Sequence, residues 1–201
     1  MSSIKKPCVY GLEASTKAPA PQQLPPKWAA IDIETGGLNP IQDALLSIAV
    51  WTPEDGAETL FLKPDGDIEE AALTINKIDL SNCAHGCSAL WVARWLASKL
   101  RGRAIIGHNL AFDLSFIAWK LFRLPPCVES GVLLDMLPLF DTYRLVQQRW
   151  PEESHSLKRA AELCGIQVEE GKLHNAGYDA ELAAQVFIWL VEHPEEKKVE
   201  G

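Results

Sequence analysis

The sequence predicts an α/β domain built on a mixed sheet. Three strand-like runs come first along the chain, short apolar strands then alternate with helical patterns, and no long internal repeat interrupts them. The first run, Trp28 to Glu34, ends at the turn signal Thr35-Gly36-Gly37. Leu45 to Thr52 and Thr59 to Leu62 read as two further strands, parted by the turn Pro53-Glu54-Asp55-Gly56. Helical spacing covers Glu69–Lys77 and, more strongly, Ser88–Leu100. Ala104 to Gly107 is a short apolar strand that runs directly into His108-Asn109 and a helix over Phe112 to Leu124. The stretch Gly131–Val146 is ambiguous by period, with Asp141-Thr142 able to end a buried strand and open an acid-capped helix. Ser156–Cys164, closed by Gly165, is a helix with a cap at each end, and Ala180 to Val191 is the last.

Composition sets the frame for these elements. At 201 residues, with 47% hydrophobic and 23% charged residues, the chain can bury a core and is not globally disordered. Its 19 Lys+Arg against 27 Asp+Glu give a net charge of −8, which disfavours charge-driven attachment to a polyanion. Residues 1–27 differ from the rest: Pro7, Pro19, Pro21, Pro25 and Pro26 stand among Lys5, Lys6, Lys17 and Lys27, with Glu13 as the single acid. This is expected to be an extended basic arm, followed by a domain over residues 28–192 and a charged tail over 193–201. The five cysteines are odd in number and lack a framework spacing, so they read as reduced thiols, and Cys83, His85 and Cys87 lack a second ligand pair for zinc. No basic-then-apolar leader opens the chain, and no apolar run reaches the ~18 residues of a membrane span. A soluble cytoplasmic protein without a membrane partner is expected.

Several acids sit where acids are costly. Asp32 and Glu34 lie two apart on the first strand and point to one face, opposite Ile31 and Ile33. Alone, that pattern is weak and more often describes a half-exposed strand with a wet acidic face. Asp113 opens a helix, where the dipole favours a carboxylate, yet Phe116, Ile117, Leu121 and Leu124 follow it on the apolar stripe. Asp179 repeats this with Leu182, Ala183, Val186 and Leu190. An unpaired carboxylate aimed at a core costs several kcal/mol unless it is protonated or meets a cation. Bases are scarce nearby, so divalent ions that favour oxygen ligands, Mg²⁺ or Mn²⁺, are the better answer. Two such ions can activate water and stabilise a leaving oxygen in phosphodiester hydrolysis. His174, five residues before Asp179, is a loop histidine that could supply a base or could simply be solvated.

Together these residues resemble the DnaQ-like, DEDDh-type 3′→5′ exonucleases of the ribonuclease-H-like superfamily. The motifs are Ile31-Asp32-Ile33-Glu34-Thr35-Gly36-Gly37-Leu38, Gly107-His108-Asn109-Leu110-Ala111-Phe112-Asp113, and His174-Asn175-Ala176-Gly177-Tyr178-Asp179-Ala180. Phe140-Asp141-Thr142 and His155-Ser156-Leu157 resemble further family segments. The resemblance implies a ribonuclease-H-like fold, with a five-stranded mixed sheet and helices on both faces. It implies Asp32, Glu34 and Asp179 as metal ligands, Asp113 as a further acid acting partly through water, and His174 as general base. Thr35, Gly36 and Leu38 would hold or wedge the 3′-terminal nucleotide, with Asn76, His108, Asn109 and Phe112 shaping the site.

The implied substrate is a nucleic acid with a 3′ end, foremost single-stranded DNA and then RNA, released as nucleoside 5′-monophosphates. Two bound ions would take the charge from −8 to about −4, so DNA affinity without metal is expected to be weak. The chain departs from the family at Asn76-Lys77-Ile78, where a His-Gly-Ile segment is frequent, and at Thr35-Gly36, where two threonines are frequent. No sizeable C-terminal extension suggests a polymerase tether, which favours a stand-alone enzyme, although the N-terminal arm could bind a polymerase or replication partner instead. The alternatives are an oligoribonuclease-like enzyme for short RNA and an inactive nucleic-acid-binding module. All four acids and the histidine are present, which disfavours the inactive module.

Overall fold

The computed structural model describes residues 21–123 and 138–194. Most of the basic arm and of the charged tail therefore lies outside the described residues, as do Leu124 and the first part of the ambiguous stretch after Gly131. At the described end of the arm, Leu24 is half-buried and packs against the domain.

Three strands come first, β1 (Trp28–Thr35), β2 (Leu45–Thr52) and β3 (Gly56–Phe61). Three helices follow, α1 (Glu70–Asn76), α2 (Leu80–Ala84) and α3 (Ala89–Leu100). Next come β4 (Ala104–Gly107), α4 (Leu110–Phe116) running into a π turn (Ile117–Leu121), β5 (Leu139–Asp141) and α5 (Thr142–Arg149). The chain closes with α6 (Leu157–Leu163), a 3-10 turn (Glu170–Lys172) and α7 (Ala176–Glu192).

The sheet order is β3-β2-β1-β4-β5. β1 pairs antiparallel with β2, β2 antiparallel with β3, and β4 parallel with both β1 and β5. The mixed sheet is as the sequence predicts. Because β1, β4 and β5 run the same way, their carboxyl ends open at one edge, the position where sheets of this kind place functional groups.

Strand alternation divides β1 between two cores. Ala29, Ile31 and Ile33 pack with α3 and α4 residues such as Val92, Leu96, Leu110 and Leu114. Trp28 and Ala30 face the other way, into a second cluster with Phe140, Val146, Ala160, Leu182 and Phe187 from β5, α5, α6 and α7. Trp28 and Phe187 meet edge to face, ring centroids 5.7 Å apart. Helices thus cover both faces, and the even-numbered face of β1 continues from Ala30 to Asp32 and Glu34 beneath α7.

Ile106, wholly buried in β4, belongs to the second cluster. Ile106→Val should cost about 0.5–1.5 kcal/mol, seen as a lower urea midpoint at unchanged m value.

The helix expected over Phe112 to Leu124 differs in detail. It begins at Leu110 and widens into the π turn, where Lys120 is buried. Lys120 Nζ lies 3.5 Å from Asp65 Oδ1 and 3.5 Å from the Asp65 carbonyl. The wider turn therefore coincides with a cation held inward by a loop far along the chain.

Candidate active site

β1 presents Asp32 and Glu34 on the face that α7 covers, and the first turn of α7 brings Asp179 to them. One carboxylate oxygen from each of Asp32, Glu34 and Asp179 lies within 4.8 Å of the other two. A register shift between Glu34 and Thr35 bends β1 at this point, the kind of bulge that re-aims side chains beside a site. Next to it, the close approach of the Asp67 carbonyl leaves no space for a side chain at residue 36. A Cβ on Gly36 would sit 2.4 Å from that oxygen.

Asp113 is buried in α4 beside Leu114 and Phe116, on the apolar stripe its spacing indicates. It lies outside the three-acid set but close enough to act on it electrostatically. Burial raises the Asp32 carboxyl well above the usual range, and the nearby charges of Asp113, Glu34 and Asp179 raise it further, in that order. Burial likewise raises Asp113, with the negative charges of Asp141 and Glu34 adding to it against opposing backbone groups. Glu34 is pushed up to about 8, by burial first and then by Asp179. Asp179 is pushed up to about 6 by burial, against the pull of the His174 amide.

No ion pair among the described residues neutralises any of the four. Asp179 Oδ1 is buried without a hydrogen-bond partner among them. Leaving such an oxygen unsatisfied costs about 1–3 kcal/mol, and more when charged. Converging carboxylates, an orphaned oxygen and the lack of a salt bridge to them among the described residues all suit a hard divalent ion bound through oxygen.

His174 sits in the loop entering α7, exposed, with a left-handed φ of 63°. Its backbone N–H donates to Asp179 Oδ2 at 3.0 Å. Asn175 caps α7 by accepting from the Gly177 and Tyr178 amides. A cavity of about 430 Å³ opens beside these groups, its lining including Glu34, Asn76 and His174.

The other residues singled out by sequence are placed less uniformly. Buried Asn76 lines the cavity, and its Nδ2 donates to the Thr35 carbonyl at 3.1 Å. Thr35 Oγ1 is committed to the Gly37 carbonyl at 2.6 Å, so it braces the turn. Leu38 is 82% exposed. Half-buried Phe112 packs on Phe116, ring centroids 5.1 Å apart. Asn109 adopts a left-handed conformation ahead of α4, and its backbone N–H donates to Asp141 Oδ1 at 2.8 Å.

His108 does not line the cavity. Its ring contacts Thr142 Oγ1 at 3.0 Å and the His155 carbonyl at 2.8 Å, and burial lowers its pKa to about 4. The neutral ring therefore donates from Nε2 to that carbonyl and ties the start of α5 to the loop before α6. Sequence reading did not single out Thr59, Asn82, Lys172 or Tyr178, all of which line the cavity. For Lys172, two residues before His174, and Tyr178, directly before Asp179, that proximity was the available signal.

Comparison with known proteins settles what kind of domain carries this site. The RNase_T family model, described as Exonuclease, matches residues 29–187. The chain belongs to this exonuclease family. The ribonuclease T of Marinobacter nauticus is 28% identical over 183 residues, covering 80% of each protein. The DNA polymerase III PolC-type of Mycoplasmopsis pulmonis is 23% identical over 86% of this chain, which spans 12% of that protein. The DNA polymerase III subunit epsilon of Haemophilus influenzae is 24% identical over 65% of the chain and 50% of the relative.

Among solved structures, exonuclease I superposes with a TM-score of 0.68 at 18% identity, covering 83% of this chain and 41% of that one. E. coli exonuclease I in complex with a dT13 oligonucleotide gives 0.67 at 18% identity, covering 81% and 40%. The DnaQ-like assignment drawn from the motifs therefore holds, and the five-stranded mixed sheet has the ribonuclease-H-like fold. No helix among the described residues of the exonuclease domain is long and apolar enough to cross a membrane.

Proposed function

We propose that the chain is a 3′→5′ exonuclease. It would use two divalent ions, Mg²⁺ or Mn²⁺, to release nucleoside 5′-monophosphates from single-stranded 3′ ends of DNA. The observation that carries this reading is the converging set Asp32, Glu34 and Asp179, of which Glu34 lines the same cavity as His174. Asp32, Glu34 and Asp179 would hold the ions directly, and Asp113, whose charge already acts on Asp32, would be a further acid working partly through water. When bound, the ions would supply a lowered water pKa and neutralise charge on the leaving oxygen.

The protein's own groups do the rest. His174, the side-chain type most often used as a general base, would accept the proton of the attacking water at an imidazole nitrogen. The hydrogen bond its backbone N–H donates to Asp179 Oδ2 fixes the backbone from which the ring projects. Leu38 would rest against the terminal base, and Asn76, fixed by the Thr35 carbonyl, would shape the wall beside Glu34. The single-stranded oligonucleotide held by exonuclease I supports a single-stranded substrate. The mutual coverage with ribonuclease T favours RNA ends as a second substrate class. A polymerase partner has the support of the epsilon-subunit and PolC-type relatives.

The test is a panel of 5′-labelled single-stranded, duplex and 3′-mismatched DNA with matching RNAs, run with each ion. The expected product is a descending ladder from single-stranded DNA. Release of the label at once as a mononucleotide would mean attack from the 5′ end and overturn the polarity. Cleavage confined to the shortest RNAs would favour the oligoribonuclease-like alternative.

A further inference from the structure

The loop that carries His174 is fastened at both ends by neighbouring residues of α7. Asp179 Oδ2 accepts the His174 N–H at 3.0 Å, and the Tyr178 hydroxyl accepts the Glu169 N–H at 2.7 Å. Between these two points lie the 3-10 turn Glu170–Lys172 and the left-handed backbone of His174. The Tyr178 ring is half-buried against the second core cluster, and Lys172 Nζ sits 5.9 Å from its centroid. The loop's side-chain ties, Lys158–Glu170 and Lys172–Glu169, are exposed ion pairs that contribute little. That leaves the phenol–amide bond as a short, neutral, salt-insensitive fastening of the near end.

We propose that Tyr178 is a positioning residue: its hydroxyl closes the loop from Glu169 and thereby holds His174 beside Asp179. This rests on the reading of His174 as the base. Tyr178 acts through the loop and touches no reacting atom. A non-glycine residue at positive φ persists only where its surroundings hold it, and His174 lies five residues beyond the fastened amide. Freeing that amide lets the loop relax and moves the imidazole from its working place, a change that lowers rate more than binding.

The experiment compares Tyr178→Phe with the parent full-length chain on a 5′-labelled single-stranded DNA with Mg²⁺, alongside hydrogen exchange of amides 169–174 without substrate. The expected result is a loss of about 3- to 10-fold in kcat with KM changed less than about twofold. The melting temperature should stay within about 2 °C, because Glu169 is exposed and water can take the freed amide. Exchange should quicken in amides 169–174 and not elsewhere. Parental kcat in the variant would overturn the proposal, whether or not exchange quickens. So would unchanged exchange, even if kcat fell. A parent that releases no nucleotide would instead defeat the exonuclease reading, and the exchange data would still decide whether Tyr178 holds the loop.

Discussion

Asp179→Asn lowers nucleotide release by about a thousandfold or more, equivalent to ~4 kcal/mol of lost transition-state stabilisation at 1.36 kcal/mol per tenfold. The size of the effect follows from what Asp179 lacks. Oδ1 is buried without a partner, and no salt bridge among the described residues reaches the three converging acids. The amide keeps an acceptor for the His174 N–H, so the loop and the first turn of α7 should stay in place. It also removes one like charge from the cluster. In metal-free buffer the variant should therefore be at least as stable as the parent. A variant that is both inactive and unfolded would make Asp179 a structural residue. A folded, inactive one separates catalysis from architecture.

The second large effect is a metal-dependent flattening of the pH–stability profile. Glu34 at about 8 and Asp179 at about 6 both titrate above their usual values of 4.5 and 3.8. The metal-free folded state therefore holds more protons than the unfolded chain across that interval. The stability these two groups confer is complete below their unfolded values and is lost as pH rises through about 6 and then about 8. Ion binding needs the ionised carboxylates, so a divalent ion stabilises most at the alkaline end. At one hundred times its dissociation constant it adds ~2.7 kcal/mol, or about 5–11 °C for a chain of this size. Melting curves of the parent minus those of Asp179→Asn, at pH 5.5, 7 and 8.5 with and without Mn²⁺, isolate the site from other titrating groups. Equal shifts in both proteins would place the ion elsewhere.

The reach of the sequence can be judged residue by residue. Asp32 and Glu34 were legible because strand alternation is local: Ile31 and Ile33 fix one face and the acids inherit the other. Asp113 and Asp179 stood out by interrupting apolar stripes with charge, and both proved buried. Other features depend on partners far along the chain. α7 begins at Ala176, four residues before the expected Ala180, because the Asn175 side chain caps two amides and commits a segment that reads as loop. β3 begins at Gly56, three residues before the expected Thr59, with exposed Ala57 and Glu58 giving no apolar alternation to read. The five-residue helix α2 was missed, since it rests on one side-chain cap from Asp79 and buries only Cys83. The π turn follows a Lys120–Asp65 pairing that spacing along one helix cannot show. His108 lies within a recognisable motif, yet its ring is held by Thr142 and His155, 34 and 47 residues away.

The account stands on Asp32, Glu34 and Asp179 forming a metal site that hydrolyses phosphodiesters from a 3′ end. The most direct measurement digests one 5′-labelled single-stranded DNA with parent and Asp179→Asn, each with Mg²⁺ and with EDTA. The prediction is a descending ladder for the parent with Mg²⁺ and intact DNA in the other three reactions. Degradation by the folded variant at the parental rate, or by the parent in EDTA, would contradict it.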